Sequence, residues 1–145
     1  MTTISSKLSS SFQTATSAKQ TFEEHNSDVH IEVIDSKTCA CGKAALEIFI
    51  AKMIENKRDF EYIIEMIYKM IPKVNSIFVV NSLKYMKAGG RIGGAAAFLS
   101  KIANIKPVCE FIDGEVHTIK PTIGRKRSLK TMIDISVSRI NDINN

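Results

Sequence analysis

The sequence predicts an α/β fold: a mostly parallel sheet flanked by helices, with a β-hairpin added. Two short apolar runs, residues 29–34 and 76–80, have the β-branched composition of strands. Between them, residues 38–56 and 60–71 carry apolar side chains at helical spacing, and alternating strands and helices are typical of parallel sheets. An Asp-Gly pair at residues 113–114 separates two further strand-like runs and predicts the hairpin.

Length and composition indicate one globular region. The 145 residues are 44% hydrophobic, which is enough to build a core. No apolar run approaches the ~20 residues that a membrane-spanning helix needs. The three cysteines are odd in number and lack the spacing of a disulfide framework, so we predict free thiols and a cytoplasmic location. The formal net charge of +5 gives only a weak preference for anionic partners.

The N-terminal stretch is rich in serine and threonine but keeps one apolar helical face. Four side chains lie close to that face: Leu8, Phe12, Ala15 and Phe22. We therefore predict a helix that begins near Leu8, preceded by Ser5 and Ser6 and by the stub of a further parallel strand. The two hydroxyls either cap the helix or form an anion site with the free amides of its first turn.

The central elements alternate between strand and helix. Residues 29–34 form the first predicted strand, which ends at the turn-forming pair 35–36. The predicted helix at 38–56 is apolar over much of its surface, so it is expected to be largely buried or to face a cavity. The helix at 60–71 has one apolar stripe, and Pro72 ends it.

A glycine-rich segment follows the second predicted strand. Ser82 is a good N-cap for a helix of one or two turns, and Gly89 and Gly90 end that helix because glycine tolerates a positive φ. A second helix is predicted from about Gly93. Arg91 lies between the two helices, either as a solvated arginine in a turn or as a cation that contacts a ligand or partner.

The C-terminal part contains the hairpin strands, at 106–112 and 115–120, and a helix at 125–140. Prolines near the outer ends of the hairpin place it toward a sheet edge. The first turn of the helix is cationic and holds Arg125, Lys126 and Arg127. Cations oppose the helix dipole at this end, so the cluster is either a solvated turn or a site for an anion or an acidic partner.

Other kinds of site find no support in the sequence. The histidines and cysteines lack the paired spacing of zinc ligands, so no metal site is predicted. The glycines around Arg91 match neither a P-loop nor a dinucleotide-binding fingerprint. Nothing near Ser5 or Ser6 in the sequence forms the nucleophile elbow that usually presents a catalytic serine, so hydrolase activity is not expected.

The order of these motifs resembles the DegV family of bacterial fatty-acid-binding proteins. The strings that carry the resemblance are ISSKLSSSFQTA (4–15), VIDSK (33–37), FVVNSLKYMKAGGRI (78–92), IKP (105–107) and GRK (124–126). They cover nearly the whole chain in one consistent order. The chain departs from the family at Ser10 and Ser11, where glycine followed by threonine is usual.

The resemblance implies a fragment of the DegV-like (EDD-type) fold. Family members are about twice this long, so the chain is expected to lack the family's N-terminal and C-terminal segments. Residues 1–145 then form a single DegV-like region. Within it, about 1–80 is the α/β portion of the first domain, and about 81–145 is a helix, hairpin and basic helix that lead into the second.

The resemblance also implies a function. A fatty-acid carrier of this kind is not an enzyme and needs no cofactor or metal: it buries a long-chain fatty acid and presents the carboxylate to a fatty acid kinase for phospholipid synthesis. By resemblance, one or both of Ser5 and Ser6 hold the carboxylate, and Arg91 is expected to act beside them or in contact with the kinase or membrane. Four further residues are assigned to loop or partner contacts: Gly89, Gly90, Arg125 and Lys126.

One alternative function and two further contacts stay open. The alternative is a basic nucleic-acid-binding module that contacts phosphates through the cations of residues 125–130, although no aromatic side chains for base stacking accompany them. For the carrier, a transient contact with the membrane surface is predicted. A homodimer is expected if the chain exposes apolar surface.

Overall fold

The computed structural model describes residues 1–98 and 105–140, which divide into two compact units. The first unit comprises Met1–Ser76 together with Asp113–Glu115. The second comprises Ile77–Ile112 and Val116–Asn145, as far as these are described. None of the described helices is both long and apolar enough to cross a lipid bilayer.

The first unit contains two short strands and three helices. They are β1 (Thr2–Thr3), α1 (Ser11–Glu23), β2 (Ile34–Asp35), α2 (Ala40–Glu55) and α3 (Phe60–Met70), followed by a 3-10 turn (Ile71–Lys73). β1 and β2 pair in parallel, with Thr2 opposite Ile34 and Thr3 opposite Asp35. Loops that follow the carboxyl ends of parallel strands are where ligands bind in open α/β sheets.

The second unit is built on an antiparallel sheet. Its elements are β3 (Ile77–Val79), α4 (Leu83–Ala88), a 3-10 helix (Gly93–Phe98), β4 (Val108–Ile112), β5 (Glu115–Lys120) and α5 (Arg125–Arg139). The strand order is β3-β4-β5. α5 is tied to β4 by an ion pair, in which the guanidinium of Arg139 donates to the carboxylate of Glu110.

The α/β class, the strand stub before Ser5 and the hairpin are confirmed, but one strand pairing is corrected. The sequence predicts a parallel strand at 76–80, whereas β3 pairs antiparallel with β4. That prediction is wrong because a β-branched apolar run specifies a strand and not the direction of its neighbour. The hairpin supplies the antiparallel neighbour. The strand predicted at 29–34 is also shorter, since it begins only at Ile34.

Two helix starts also differ from the prediction. α1 begins at Ser11 and not near Leu8, because the amides of Leu8 and Ser9 donate to the carbonyl of Ser5 in a turn. The helix predicted from about Gly93 is a 3-10 helix, and Gly93 has a φ of +49°. A side chain there would bring its Cβ within 2.4 Å of the carbonyl oxygen of Val116, so this approach requires glycine.

The core of the first unit lies between β2, α2 and α3. Its buried members are Ile34, Met53, Ile63 and Ile67, with Ile67 fully buried. The apolar stripe predicted on the helix at 60–71 therefore faces the core. α2 is not largely buried, because Ile48 and Ile54 are 58% and 60% exposed, and the other alternative, that it faces a cavity, stays a prediction.

Tyr68 on α3 provides a test of this packing at high pH. Its hydroxyl donates to Oε1 of Glu32 at 2.6 Å. This hydrogen bond, and then partial burial, raise the pKa of Tyr68 from its ordinary 10.0 to about 12. The bond's contribution to stability is therefore complete below about pH 10 and is lost as the pH rises toward 12.

We expect Tyr68 to give the folded protein a tyrosine ionisation near pH 12. A pH titration followed by tyrosinate absorbance, with circular dichroism to monitor folding, measures it. The Tyr68→Phe variant is expected to lack the ionisation near pH 12. An unchanged high-pH step in that variant would contradict the assignment.

Candidate functional site

The loop between β1 and α1, residues 4–10, is the candidate site and is called the serine loop below. It leaves the carboxyl end of β1, beside the end of β2. The amide of Ser5 donates to the carbonyl of Thr38 at 2.8 Å. The carbonyl of Ser5 accepts from Leu8 at 2.9 Å and from Ser9 at 3.1 Å. The loop is therefore a closed turn anchored to the segment that follows β2.

The side chain of Ser5 is also held in place by hydrogen bonds. Its hydroxyl is completely buried, donates to the carbonyl of Gly114 at 2.7 Å and accepts from the amide of Lys7 at 3.1 Å. Asp113 and Gly114 have φ values of +49° and +87°, as expected for the two central residues of a type I′ turn. The hairpin turn thus supports the serine loop directly.

Ser6 is exposed and bonded to Asp35. Oδ1 of Asp35 accepts from the amide of Ser6 at 3.1 Å, and Oδ2 accepts from the Ser6 hydroxyl at 2.5 Å. Oδ1 also accepts from the amide of Lys37 at 3.0 Å. In this structure the hydroxyl groups of both predicted carboxylate ligands, Ser5 and Ser6, already donate hydrogen bonds to acceptors within the protein.

A cavity of about 620 Å³ runs along α1 next to the serine loop. It is lined by Met1, Ser9, Ser10, Ser11, Thr14, Ala15, Ala18, Lys19, Phe22, Ile31 and Val33. Ser11 and Phe22 are eleven residues apart on α1, so this wall is about 16 Å long at 1.5 Å per residue. The serines form one end, and apolar side chains form much of the remaining wall.

Ser11, one of the residues that line this cavity, has a buried polar atom. Its hydroxyl oxygen is buried and has no hydrogen-bond partner among the described residues. An unsatisfied buried hydroxyl costs about 1–3 kcal/mol, which calls for a ligand or a water molecule. The amide of Ser11 donates to the hydroxyl oxygen of Ser9 at 3.2 Å. The N-cap residue, Ser10, makes no side-chain cap, so this positive helix end is suited to an anion.

Sequence reasoning placed the hydroxyl site at Ser5 and Ser6, but neither is among the cavity-lining residues. It missed Ser9 and Ser11 as candidate ligands. The signal for them was present, because residues 9–11 are three consecutive serines where the helix starts. Direct contact of Ser5 or Ser6 with a ligand stays a prediction.

Arg91 and the glycines before it belong to the second unit. Gly90 has a φ of +71° and donates to the carbonyl of Lys87, while the amide of Arg91 donates to the carbonyl of Met86, both at 3.0 Å. These two bonds form a Schellman motif, which confirms the predicted glycine C-cap of α4. The guanidinium of Arg91 donates to the carbonyl of Gly89. Its predicted role beside the carboxylate stays a prediction.

The cations at the start of α5 lie around a second cavity, of about 490 Å³. It is lined by Ile123, Gly124, Arg125, Lys126, Arg127 and Lys130. Gly124 has a φ of +78° and leads into the helix without a side-chain cap. The four cations line one space, but their role as a partner contact stays a prediction.

The thiols and potential metal ligands of the described residues point to no further site. Burial raises the pKa of Cys109, and burial followed by the neighbouring Cys41 raises that of Cys39, so neither thiol is activated as a nucleophile. In residues 1–98 and 105–140, no group of three or more histidine, cysteine or acidic side chains is placed to hold a metal ion.

Comparison with known proteins connects this geometry to a family. The sequence pattern of the family described as "Uncharacterised protein, DegV family" matches residues 1–144. A DegV domain-containing protein of Clostridium acetobutylicum is 36% identical over 135 residues, which are 92% of this chain and 47% of that protein.

Two solved structures share the fold. A stearic-acid-binding protein of Eubacterium ventriosum aligns with a TM-score of 0.90 and 29% identity, over 99% of this chain and 49% of its own. A fatty-acid-binding DegV family protein of Thermus thermophilus aligns with a TM-score of 0.79 and 28% identity, over 93% of this chain and 46% of its own.

The chain spans about half the length of the curated relatives it matches. Within that half the match is nearly complete: the family pattern, the Clostridium acetobutylicum relative and the two solved structures each cover at least nine-tenths of this chain. The chain therefore belongs to the DegV family.

Proposed function

We propose that this chain binds one long-chain fatty acid, with the acyl tail in the cavity along α1 and the carboxylate at its serine end. The observation that carries the proposal is the buried, unsatisfied hydroxyl of Ser11 at the polar end of an otherwise largely apolar cavity. Two solved structures with the same fold are described as fatty-acid-binding proteins.

The energetics of such a ligand fit the cavity. Burial of an acyl chain contributes about 0.8 kcal/mol per methylene, whereas a buried carboxylate is costly unless it is hydrogen-bonded. The cavity offers apolar walls for the tail and the serines and first-turn amides of α1 for the head. Its volume of about 620 Å³ lies within the 300–1,000 Å³ usual for ligand sites.

The head group is assigned to two sets of hydroxyls. Ser9 and Ser11 line the cavity and are proposed to contact the carboxylate head group directly. One or both of Ser5 and Ser6 stay in the proposal as carboxylate ligands, as the family resemblance implies, and Arg91 stays in it either beside the carboxylate or in contact with the kinase or membrane. Alanine variants of all five, compared in one titration, show which of these side chains contribute to the affinity for the fatty acid.

The biological role follows from the family resemblance. We propose a carrier that performs no chemistry on the lipid and presents the carboxylate to a fatty acid kinase in the cytoplasm, for phospholipid synthesis. Contact of the cations at the start of α5 with the kinase or the membrane surface belongs to the same proposal. A homodimer that covers exposed apolar surface is also part of it.

Replacing Ser11 with alanine tests the proposal through two opposite effects. The variant is expected to bind a fluorescent long-chain fatty acid about 10- to 150-fold more weakly, since one hydrogen bond to a charged group contributes about 1.5–3 kcal/mol. The lipid-free variant is expected to be equally or more stable than the wild type, because it no longer buries an unsatisfied hydroxyl. Fluorescence titration and urea unfolding measure the two effects.

Ser17→Ala is the matched control, since Ser17 is an exposed serine of α1 outside the cavity lining. Native mass spectrometry of the purified protein is expected to show a co-purifying fatty acid. Equal affinities of the Ser11 and Ser17 variants would contradict the assignment of Ser11. Lipid-free protein that binds DNA in a strongly salt-dependent manner would instead support the nucleic-acid alternative.

A further inference from the structure

We infer that Asp35 is a positioning residue for the carboxylate site: its side chain fixes the serine loop so that Ser9 and Ser11 face the cavity. This inference rests on the proposed function, which it extends to a residue outside the cavity lining. Asp35 is the last residue of β2, and the serine loop leaves the neighbouring strand β1. A single carboxylate therefore joins the ends of both parallel strands.

The carboxylate of Asp35 accepts three hydrogen bonds on its two oxygens. Oδ1 takes the amides of Ser6 and Lys37 at 3.1 and 3.0 Å, and Oδ2 takes the hydroxyl of Ser6 at 2.5 Å. Bonds to an ionised acceptor are roughly twice as strong as neutral ones. Lys37 has a φ of +51°, an uncommon backbone conformation that its bond to Asp35 helps to hold.

A continuous set of bonds leads from Asp35 to the cavity. Asp35 accepts hydrogen bonds from both donors of Ser6, its amide and its hydroxyl. Ser6 lies inside the turn that is closed when the amides of Leu8 and Ser9 donate to the carbonyl of Ser5. The hydroxyl of Ser9 in turn accepts the amide of Ser11. Ser5 is anchored independently, through Thr38 and Gly114. Loss of the Asp35 contacts is therefore expected to loosen the outer side of the turn without detaching its base.

The Asp35→Ala variant is expected to bind a long-chain fatty acid about tenfold more weakly, since the loop no longer presents its hydroxyls. Its affinity for the methyl ester of the same acid is expected to be unchanged, because the ester carries no carboxylate for the loop to hold. This difference between acid and ester separates positioning of the head site from a general loss of stability.

Asp35→Asn is the conservative variant. Its amide oxygen still accepts the two backbone amides, and its NH₂ group donates to the hydroxyl oxygen of Ser6, so acid affinity is expected to stay near the wild-type value. Asp59→Ala is the matched control. Asp59 caps α3 by accepting from the amide of Tyr62 at 2.8 Å, so its loss lowers stability without moving the serine loop.

Hydrogen exchange of the lipid-free proteins completes the experiment. The amides of residues 6–11 are expected to exchange faster in Asp35→Ala than in the wild type, in Asp35→Asn or in Asp59→Ala. Unchanged exchange there, or an equal loss of affinity for acid and ester, would overturn the inference. If the wild type binds neither acid nor ester but exchange responds as expected, the proposed function fails while the positioning of the loop by Asp35 stands.

Discussion

Replacing Gly114 with alanine is expected to lower the free energy of unfolding by about 2–5 kcal/mol, from backbone strain and a lost buried hydrogen bond together. Gly114 has a φ of +87°, a backbone conformation that costs an L-residue about 1–2 kcal/mol. The added Cβ would lie 2.4 Å from the hydroxyl oxygen of Ser5. Because that oxygen is buried and bonded on both sides, it can move away from the added Cβ only at the expense of these hydrogen bonds.

The loss is expected to reach the candidate site, because Ser5 is the base of the serine loop. Displacement of its hydroxyl breaks the bond to the carbonyl of Gly114, so the buried Ser5 donor and the buried Gly114 acceptor both lose this hydrogen bond. Urea unfolding measures the stability of Gly114→Ala, and a fatty-acid titration measures the state of the loop. Both are expected to fall together in this variant.

Gly89→Ala is the control for the chemical change itself. Gly89 has a φ of −80°, and its added Cβ would approach no neighbouring atom more closely than 3.4 Å. Its effect is expected to be neutral or stabilising by about 0.4–1 kcal/mol. Combining Gly114→Ala with Ser5→Gly removes the steric conflict, so the double variant is expected to lose less than the sum of the two single losses. Additive losses would contradict the proposed contact.

Local signals in the sequence were sufficient for the parts of the fold that depend on single residues. The Asp-Gly pair at 113–114 predicted a hairpin, and both residues adopt the positive φ values of its turn. Gly89 and Gly90 predicted a helix end, and Gly90 closes a Schellman motif there. Such features are readable because few residue types tolerate these backbone conformations.

The candidate site depended on contacts that no local pattern encodes. Ser5 looked like a free helix cap, but its hydroxyl is occupied by Gly114, a partner 109 residues away. Because of that contact and the turn on the Ser5 carbonyl, the helix begins only at Ser11. The serines that line the cavity are therefore residues 9–11 and not residues 5–6. The antiparallel partner of β3 was missed for a similar reason, since it comes from a hairpin about thirty residues further on.

Replacing Ala15 with phenylalanine is expected to weaken fatty-acid binding about 50-fold while leaving the lipid-free protein folded. Ala15 is half-buried on α1 and lines the cavity, so a benzyl group there would occupy space proposed for the acyl tail. Excluding about three methylenes, at about 0.8 kcal/mol each, removes about 2.4 kcal/mol of binding free energy. The lower helix propensity of phenylalanine costs at most about 0.7 kcal/mol.

Ala44→Phe is the matched control, because Ala44 is exposed on α2 and does not line this cavity. It is expected to bind fatty acid as the wild type does. The ring added in Ala15→Phe occupies tail space beyond the serine end, so this variant is expected to weaken the binding of long acids more than that of short ones. Ser11→Ala removes a contact to the carboxylate and is expected to weaken the binding of both equally. Titration with a series of chain lengths measures this difference. Wild-type affinity for long acids in Ala15→Phe would place the tail elsewhere in the molecule and remove the cavity along α1 from the proposal.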